Sequence, residues 1–93
     1  MLSIDIPEGV TAIRESAFSN TGLKEVVIPE SVRTIEKKSF FYCKDLVSVT
    51  IPAGVKKFER DIFSGCDNLT IHAPAGSVAE TYAKKNNIPF EAI

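Results

Sequence analysis

The sequence predicts an α/β repeat solenoid, in which short parallel strands stack from one repeat to the next and a helix with a last strand closes the stack. The first observation is an internal period, because Leu23, Leu46 and Leu69 follow one another at intervals of 23 residues. The same interval separates five further pairs: Ile28 and Ile51, Pro29 and Pro52, Val32 and Val55, Phe40 and Phe63, Cys43 and Cys66. One unit of this length cannot bury its own apolar face, so the units are expected to bury each other.

An earlier copy of the pattern precedes these units at an interval of 22 residues, so one residue is missing within Ser19–Gly22. Counting back from Leu23 puts Asn20 at the position of Cys43 and Cys66. The chain is therefore interpreted as a single domain, residues 1–93, a length typical of one domain. It comprises repeats at 1–22, 23–45 and 46–68 and a C-terminal cap at 69–93.

Each element of the repeat has a physical reason. Val26 and Ile28 alternate with an outward residue, which predicts a short half-buried strand. Pro29 ends this strand because proline cannot donate to the ladder. Ile35 belongs to a second inward-facing wall, and Phe40 is expected to fill the interior from a short helical turn.

The period breaks after Leu69, and the remaining residues predict the cap. Residues 70–74 are predicted to form a last strand in the main sheet. Ser77–Glu80 fits a capping box, in which the serine accepts from the backbone and the glutamate reaches back. Residues 78–83 carry an apolar stripe at helical spacing, and 86–87 are asparagines that can end a helix. Residues 88–90 are predicted to return as an extended segment.

The shared pattern reads L-x-x-[IV]-x-I-P-x-x-V-x-x-[IF]-x-x-x-[ASI]-F-x(2-3)-[CN]-x-x. It resembles the BspA-type leucine-rich repeat (LRR), whose units carry an I-P-x-x-V-x-x-I-x-x-x-A-F-x-x-C core. The resemblance spans essentially the whole chain, although Ser39 and Ile62 stand where the family usually has alanine. It implies a short right-handed leucine-rich-repeat stack and, since such proteins are often found there, a cell-surface or secreted location.

Charge and hydropathy exclude several classes of partner. The net charge is −1, with 11 basic and 12 acidic residues interspersed along the chain. This balance argues against a nucleic-acid partner and against an electrostatic membrane anchor. No apolar run is long enough for membrane insertion, and the N-terminus lacks the basic region and apolar core of a signal peptide.

Few side chains in the sequence could act as nucleophiles, metal ligands or titrating groups. Cys43 and Cys66 share one repeat position and are expected to be stacked, buried thiols. His72, the single histidine, is expected on the outward side of the main sheet, either as a solvated residue or as a ligand contact or pH-sensitive group. No Cys-x-x-Cys motif, histidine pair or nucleophile motif accompanies them, so we expect no enzyme, no metal and no cofactor.

The candidate binding residues lie on surfaces that the repeat presents. The alignment predicts two outward rows on the main sheet: Ser3, Glu25, Ser48 and Thr70, and beside them Asp5, Val27, Thr50 and His72. Phe41 and Tyr42 stand where the third repeat has small residues, so they are either an exposed contact or rings folded back over the repeat edge. The resemblance implies a non-catalytic interaction or adhesion module whose sheet face binds a protein partner.

The first repeat gives the alternative hypothesis. Solenoids need terminal units with a polar outer face. The first repeat would instead leave one apolar side open, formed by Ile4, Ile6, Val10, Ile13 and Phe18. An uncovered strand edge is also a template for pairing with another chain. The sequence therefore also predicts a structural unit that self-associates through its N-terminal repeat.

Overall fold

The chain was analysed as a computed structural model that describes residues 3–93, with side chains described from residue 6 onward. A stack of about four turns of a β-solenoid is formed by eight strands and one short helix in this part of the chain. The elements are β1 Ser3–Asp5, β2 Ala12–Ile13, β3 Glu25–Val27, β4 Thr34–Ile35, β5 Ser48–Thr50, β6 Lys57–Phe58, β7 Thr70–Ala73, α1 Val78–Lys85 and β8 Phe90–Ala92. We call the turns rungs: residues 3–22 form the first, 23–45 the second, 46–68 the third, and the fourth begins at residue 69.

The strands form two parallel sheets. The main sheet has the order β1-β3-β5-β7-β8, and the minor sheet has the order β2-β4-β6. Val26 lies opposite Val49 in the main sheet, and Ile35 lies opposite Phe58 in the minor sheet. The register therefore follows the repeat interval that the sequence predicts, and the parallel solenoid is confirmed.

The Ile-Pro pair makes the corner between the two sheets. In the second rung the Val32 amide donates to the Pro29 carbonyl at 3.2 Å, and in the third rung Val55 donates to Pro52 at 3.3 Å. Proline ends the main-sheet strand and presets the backbone for the turn, after which the chain enters the minor sheet. We call this region the corner of each rung.

The core is a column of side chains that runs along the stack. The Phe18 and Phe40 rings are stacked with centroids 5.4 Å apart, and Phe40 and Phe63 are stacked at 5.5 Å. Phe40 is completely buried. The sequence predicts a short helical turn around Phe40, and the structure has consecutive hydrogen-bonded turns there. The Phe41 amide donates to the Lys38 carbonyl, and the Cys43 amide donates to the Phe40 carbonyl.

Two backbone positions with left-handed geometry recur in the first three rungs. Ser16, Lys38 and Asp61 occupy the first, and Asn20, Tyr42 and Gly65 occupy the second, with φ between 54° and 85°. The backbone amides at the second position bond to the next rung in the same way. The Asn20 amide donates to the Phe41 carbonyl at 2.8 Å, and the Tyr42 amide donates to the Ser64 carbonyl at 2.7 Å.

The position predicted for Asn20 is therefore wrong by one residue. Because Asn20 is equivalent to Tyr42, its neighbour Thr21 holds the position of the cysteines, and Thr21 Oγ1 lies 3.3 Å from Cys43 Sγ. The missing residue falls after Thr21, next to Gly22. Hydrogen bonding between rungs fixes the turn, and counting back from the leucine cannot detect this constraint.

The two cysteines form bonds from rung to rung. Cys43 Sγ donates to the Phe18 carbonyl at 3.0 Å, and Cys66 Sγ donates to the Phe40 carbonyl at 3.1 Å. Both are free thiols; Cys43 is fully buried, whereas Cys66 is partly exposed, so the prediction of two buried thiols holds only for Cys43. Partial burial raises the pKa of the Cys66 thiol to about 11, which keeps it protonated at neutral pH.

The helix begins with the predicted cap in a modified form. Ser77 Oγ accepts from the Glu80 amide at 3.3 Å. The Glu80 carboxylate accepts from the Gly76 amide at 2.7 Å rather than from Ser77, because the Ser77 amide already donates to Pro74. The serine of the predicted capping box is confirmed, and the partner of its glutamate is corrected.

The helix ends in a Schellman arrangement. Asn87 has φ 59°, and the Ile88 amide donates to the Ala83 carbonyl at 2.8 Å. Ala79 and Ala83 are completely buried, and the Tyr82 ring stacks on Phe58 at 5.0 Å. The chain then adds β8 to the main sheet beside β7, so α1 and β8 both lie at the C-terminal end of the stack.

Candidate functional site

The residues of the main sheet that the repeat alignment predicts to face outward lie in two rows along the stack, which we call the main-sheet face. Strand register aligns the first row as Ser3, Glu25, Ser48 and Thr70, and the second as Asp5, Val27, Thr50 and His72. Only the backbone is described at Ser3 and Asp5. Glu25 is exposed, Val27 is 61% exposed, and Ser48, Thr50 and Thr70 are half-buried between their neighbours. The register thus brings the sheet residues named from the sequence together.

A further residue, Glu91, extends the second row. It lies opposite His72 in the register of β7 and β8, with its Oε1 3.7 Å from His72 Nδ1. The Glu91 side chain is 71% exposed and the His72 side chain is 26% exposed. The repeat period could not locate Glu91, because β8 lies outside the repeats and returns to the sheet only after α1.

The main sheet carries charge of one sign. Its charged residues are Asp5, Glu25 and Glu91, and none of the 11 lysines and arginines of the chain lies in β1, β3, β5, β7 or β8. Basic residues occur instead in the minor sheet, at Lys57, and in the connecting segments. The even charge balance of the whole sequence therefore hides an unequal distribution over the surface.

A groove of about 610 Å³ runs beside the second row, where the strands end and the chain turns at its corners. We call it the corner groove, and its lining residues are Glu8, Val27, Ile28, Pro29, Glu30, Arg33, Thr50, Pro52, Ala53, Gly54, Pro74 and Ile93. Arg33 Nη1 donates to the Glu30 carbonyl at 2.7 Å. A β-carbon on Gly54 would lie 2.7 Å from that nitrogen, so glycine leaves the space in which the guanidinium sits.

The aromatic pair lies elsewhere on the rung. Phe41 and Tyr42 belong to the turns between β4 and β5 and to neither sheet. Their ring centroids are 4.4 Å apart, and Lys38 Nζ lies 5.3 Å from the Phe41 ring. The structure therefore does not bring this pair together with the main-sheet face.

Tyr42 combines exposure with an unusual backbone. It is 48% exposed and has φ 54°, at a position where the other rungs have asparagine or glycine. Left-handed geometry is costly for a bulky residue. Its ring lies over the next rung, so that a β-carbon on Gly65 would lie only 1.9 Å from Tyr42 Cδ1. Tyr42 is thus both half-exposed and folded over the repeat edge.

The first rung has an apolar hollow on its surface. This first-rung hollow has a volume of about 250 Å³ and is lined by Ile6, Pro7, Val10, Ala12, Ile13, Arg14, Ala17 and Phe18. Ile6, Val10 and Phe18 are half-buried, whereas their equivalents in the second rung are buried completely or nearly so. The apolar side that the sequence predicts is therefore present at Ile6, Val10 and Phe18, whereas Ile13, also expected there, is only 2% exposed because it packs in the core. The Ile4 side chain lies outside the described part of the chain.

Two kinds of feature are absent from the described part of the chain. Among the side chains of residues 6–93, no group of three or more His, Cys, Asp or Glu is placed to hold a metal ion. In the same range, the structure contains no helix with the length and apolar character needed to cross a membrane.

Comparison with known proteins gives one match. Residues 1–84 match a family model described as BspA type leucine rich repeat region (6 copies). No curated protein and no solved structure matches the chain significantly.

Proposed function

Because the chain belongs to the BspA-type leucine-rich repeat family, as its sequence predicts, we propose that it is a protein-binding module that holds its partner on the main-sheet face. Leucine-rich repeat families are generally non-enzymatic scaffolds that mediate protein interactions. The proposal is more specific than family membership. It assigns the contact to particular residues and describes the module as one for interaction or adhesion.

One observation carries the proposal. The polar residues Glu25, Ser48 and Thr50 lie in register beside Val27, which is 61% exposed on the main sheet. Hydrogen bonds of the parallel ladder hold these positions in fixed geometry, so a partner meets a surface that loses little entropy on binding. The proposed contact residues on this face are Asp5, Glu25, Val27, Ser48, Thr50 and His72, and Phe41 with Tyr42 forms a second contact on the turn.

The proposal includes the organisation of the stack. We infer that the rungs wind to the right and that residues 69–93 cap three repeats within one domain. Connections between parallel strands of one sheet are right-handed in about 98% of cases, which supports the handedness. The stacking of Tyr82 on Phe58 supports the role of α1 as a cover for the last rung.

The test is a selection of displayed random peptides and small domains on the immobilised full chain. Thr50→Lys should weaken the recovered binders by about tenfold or more, since a long cation would stand in the middle of the face. Tyr42→Ala should weaken those that use the turn. The matched control is Thr34→Lys, which makes the same change in the minor sheet, and circular dichroism verifies the fold of each variant. Binders that tolerate both Thr50→Lys and Tyr42→Ala without loss would refute the proposal.

The first-rung hollow favours a second candidate, association of two copies through their N-terminal rungs. At the C-terminal end α1 lies on the last rung, so two copies would meet first rung to first rung around a two-fold axis. Such an axis would place the two β1 edges antiparallel. Ile6, Val10 and Phe18 in the hollow are equivalent to Ile28, Val32 and Phe40, which are buried in the second rung. An apolar repeat surface is thus the kind of surface that covers these positions, which is the reason for choosing a second copy as the occupant.

Light scattering behind size exclusion, over a wide range of protein concentration, tests this second candidate. The mass should rise towards that of a dimer, and Ile6→Lys should keep it at that of a monomer. Val27→Lys, a similar change outside the hollow, is the control, and circular dichroism separates loss of association from loss of fold. A constant monomer mass for the unmodified chain contradicts the candidate.

A further inference from the structure

We infer that the corner groove binds an extended segment of the partner in which an apolar side chain is flanked by lysine or arginine. The inference rests on the proposed protein-binding function and adds the chemistry of the partner. It follows from the shape of the groove, the apolar residues in it and the charges around it.

The groove collects exposed apolar side chains. Among the side chains that the structure describes, the large hydrophobic ones that are exposed are Val27, Tyr42, Val47 and Ile93. Val27 and Ile93 both line the corner groove, at 61% and 69% exposure. Exposed large apolar side chains that converge on one concavity mark a binding site more often than scattered ones do. An apolar side chain of the partner would therefore be the anchor.

The walls of the groove favour side-chain contact over pairing of backbones. Pro29, Pro52 and Pro74 form a column along it and have no amide hydrogen to offer. The Pro29 and Pro52 carbonyls already accept from the amides of Val32 and Val55. A bound segment therefore finds an apolar surface here and few free partners for β-sheet pairing.

The length of the groove fits a short extended segment. Its lining reaches from Glu8 in the first rung to Pro74 in the fourth. At about 4.8 Å between neighbouring parallel strands, this span is roughly 14 Å, or about four residues of extended chain. A volume of about 610 Å³ lies within the usual range of ligand sites.

The charges around the groove favour a basic partner. Glu8 and Glu30 are exposed carboxylates of its lining, and Glu25 and Glu91 lie on the adjacent main-sheet face. Arg33 is the one basic residue of the lining, and its guanidinium bonds to backbone carbonyls of its own turn. Lysine or arginine residues beside the apolar anchor would meet the carboxylates and accelerate association at low salt.

The probe is a labelled, amidated peptide with a valine-leucine centre flanked on both sides by lysines, and fluorescence anisotropy on the full chain measures its binding. One control peptide has glutamates in place of the lysines, and another has a glycine-serine centre. We expect only the first peptide to bind and its affinity to fall as salt is added. The inference is wrong if the lysine peptide fails to bind or if the glutamate peptide binds as well.

Variants of the protein locate the contact. Glu30→Lys and Glu8→Lys should each weaken the lysine peptide about tenfold, and Val27→Asn should weaken it by removing the anchor contact. Glu15→Lys is the matched control, an exposed glutamate outside the groove, and should leave the affinity unchanged. Equal effects of Glu30→Lys and Glu15→Lys would mean that the peptide responds to net charge alone, which overturns the inference.

The same variants separate this inference from the proposed function. One outcome is that binders recovered by display lose affinity with Thr50→Lys but not with Glu8→Lys or Glu30→Lys. That result would support binding at the main-sheet face and refute the inference about the corner groove. Binders that are unaffected by Thr50→Lys, Tyr42→Ala, Glu8→Lys and Glu30→Lys alike would refute both.

Discussion

The two ends of this stack are built from the same repeat, yet they differ in what lies beyond them. In the first rung Val10 and Phe18 remain half-buried beside the hollow. In the third rung Val55 and Phe63 are 1% and 5% exposed, and the Tyr82 ring lies edge-on to Phe63. The repeat alone therefore does not decide whether a core residue is buried; the neighbouring rung or the helix does.

This difference indicates how stability is distributed. In a solenoid it is approximately the sum of a contribution from each unit and one from each interface between units. A residue of an inner rung contributes to two interfaces, whereas its equivalent at an open end contributes to one. Substitutions at equivalent positions should therefore have unequal effects, in an order that the structure predicts.

The largest effect is expected at Phe40, whose ring stacks on both Phe18 and Phe63. Phe40→Ala should lower the free energy of unfolding by about 3–5 kcal/mol. Phe18→Ala should cost clearly less, because its ring is half-buried and, within the described residues, stacks only on Phe40. Urea unfolding of both variants measures the difference, and equal losses would mean that the two ends of the core are equally packed.

Leu46 should follow closely. It is completely buried between rungs, so Leu46→Ala should cost roughly 2–5 kcal/mol in the same experiment. Leu23 has the equivalent position one rung nearer to the open end and is 9% exposed, and Leu23→Ala should cost less. A cost for Leu46→Ala too small to measure would contradict the register of the repeats.

At the C-terminal end of the stack, one substitution can remove the contact between α1 and the third rung. Tyr82→Ala removes the ring that stacks on Phe58, and should cost about 1–3 kcal/mol because the ring is only half-buried. Hydrogen exchange should then increase most at the third rung and at β8. Exchange that increases uniformly along the chain would mean that α1 does not protect this end in particular.

The cap of α1 should have a smaller effect. Ser77→Ala leaves the Glu80 amide without its acceptor and should cost about 1 kcal/mol. Ser77→Asp is the matched control, because a carboxylate can accept the same bond and should restore most of the loss. If both variants unfold alike in thermal denaturation, the bond to the Glu80 amide does not stabilise the helix.

The smallest effect is a dependence on pH at the same end. The Lys84 ammonium, 2.8 Å from Glu80 Oε2, and the Gly76 amide lower the pKa of the Glu80 carboxyl below its ordinary value. Since the folded state has the lower pKa, this stabilisation is present at neutral pH and is lost as the pH falls through the folded-state pKa. The difference in Tm between the unmodified chain and Glu80→Gln should therefore shrink on acidification, and a difference that stays constant with pH would contradict this assignment.

The sequence predicted the solenoid well because residues that are one repeat apart in the sequence lie opposite each other in neighbouring strands. The repeat interval placed Val26 opposite Val49 and aligned the rows of the main-sheet face. The same interval misplaced Asn20, because the position of a missing residue is fixed by backbone bonds between rungs rather than by side-chain type. The proposed binding roles of these residues stay predictions.

The rest of the candidate site could not be predicted, for physical reasons that differ. Glu91 joins the main-sheet face only through the pairing of β8 with β7, which lies outside the period. The shape of the corner groove depends on the position of the Arg33 side chain, which lies against Gly54 of the neighbouring rung. Contacts of this kind join residues that occupy different positions of the repeat, so comparison of equivalent positions cannot find them.

Tyr42 and Gly65 show what such a contact means for the history of a repeated sequence. The Tyr42 ring fills the space that a side chain on Gly65 would need. If the second rung were duplicated and inserted after itself, a second tyrosine would stand beneath the first, and the two could not both keep this conformation. The second and third rungs are therefore not interchangeable, because the tyrosine of one requires the glycine of the next.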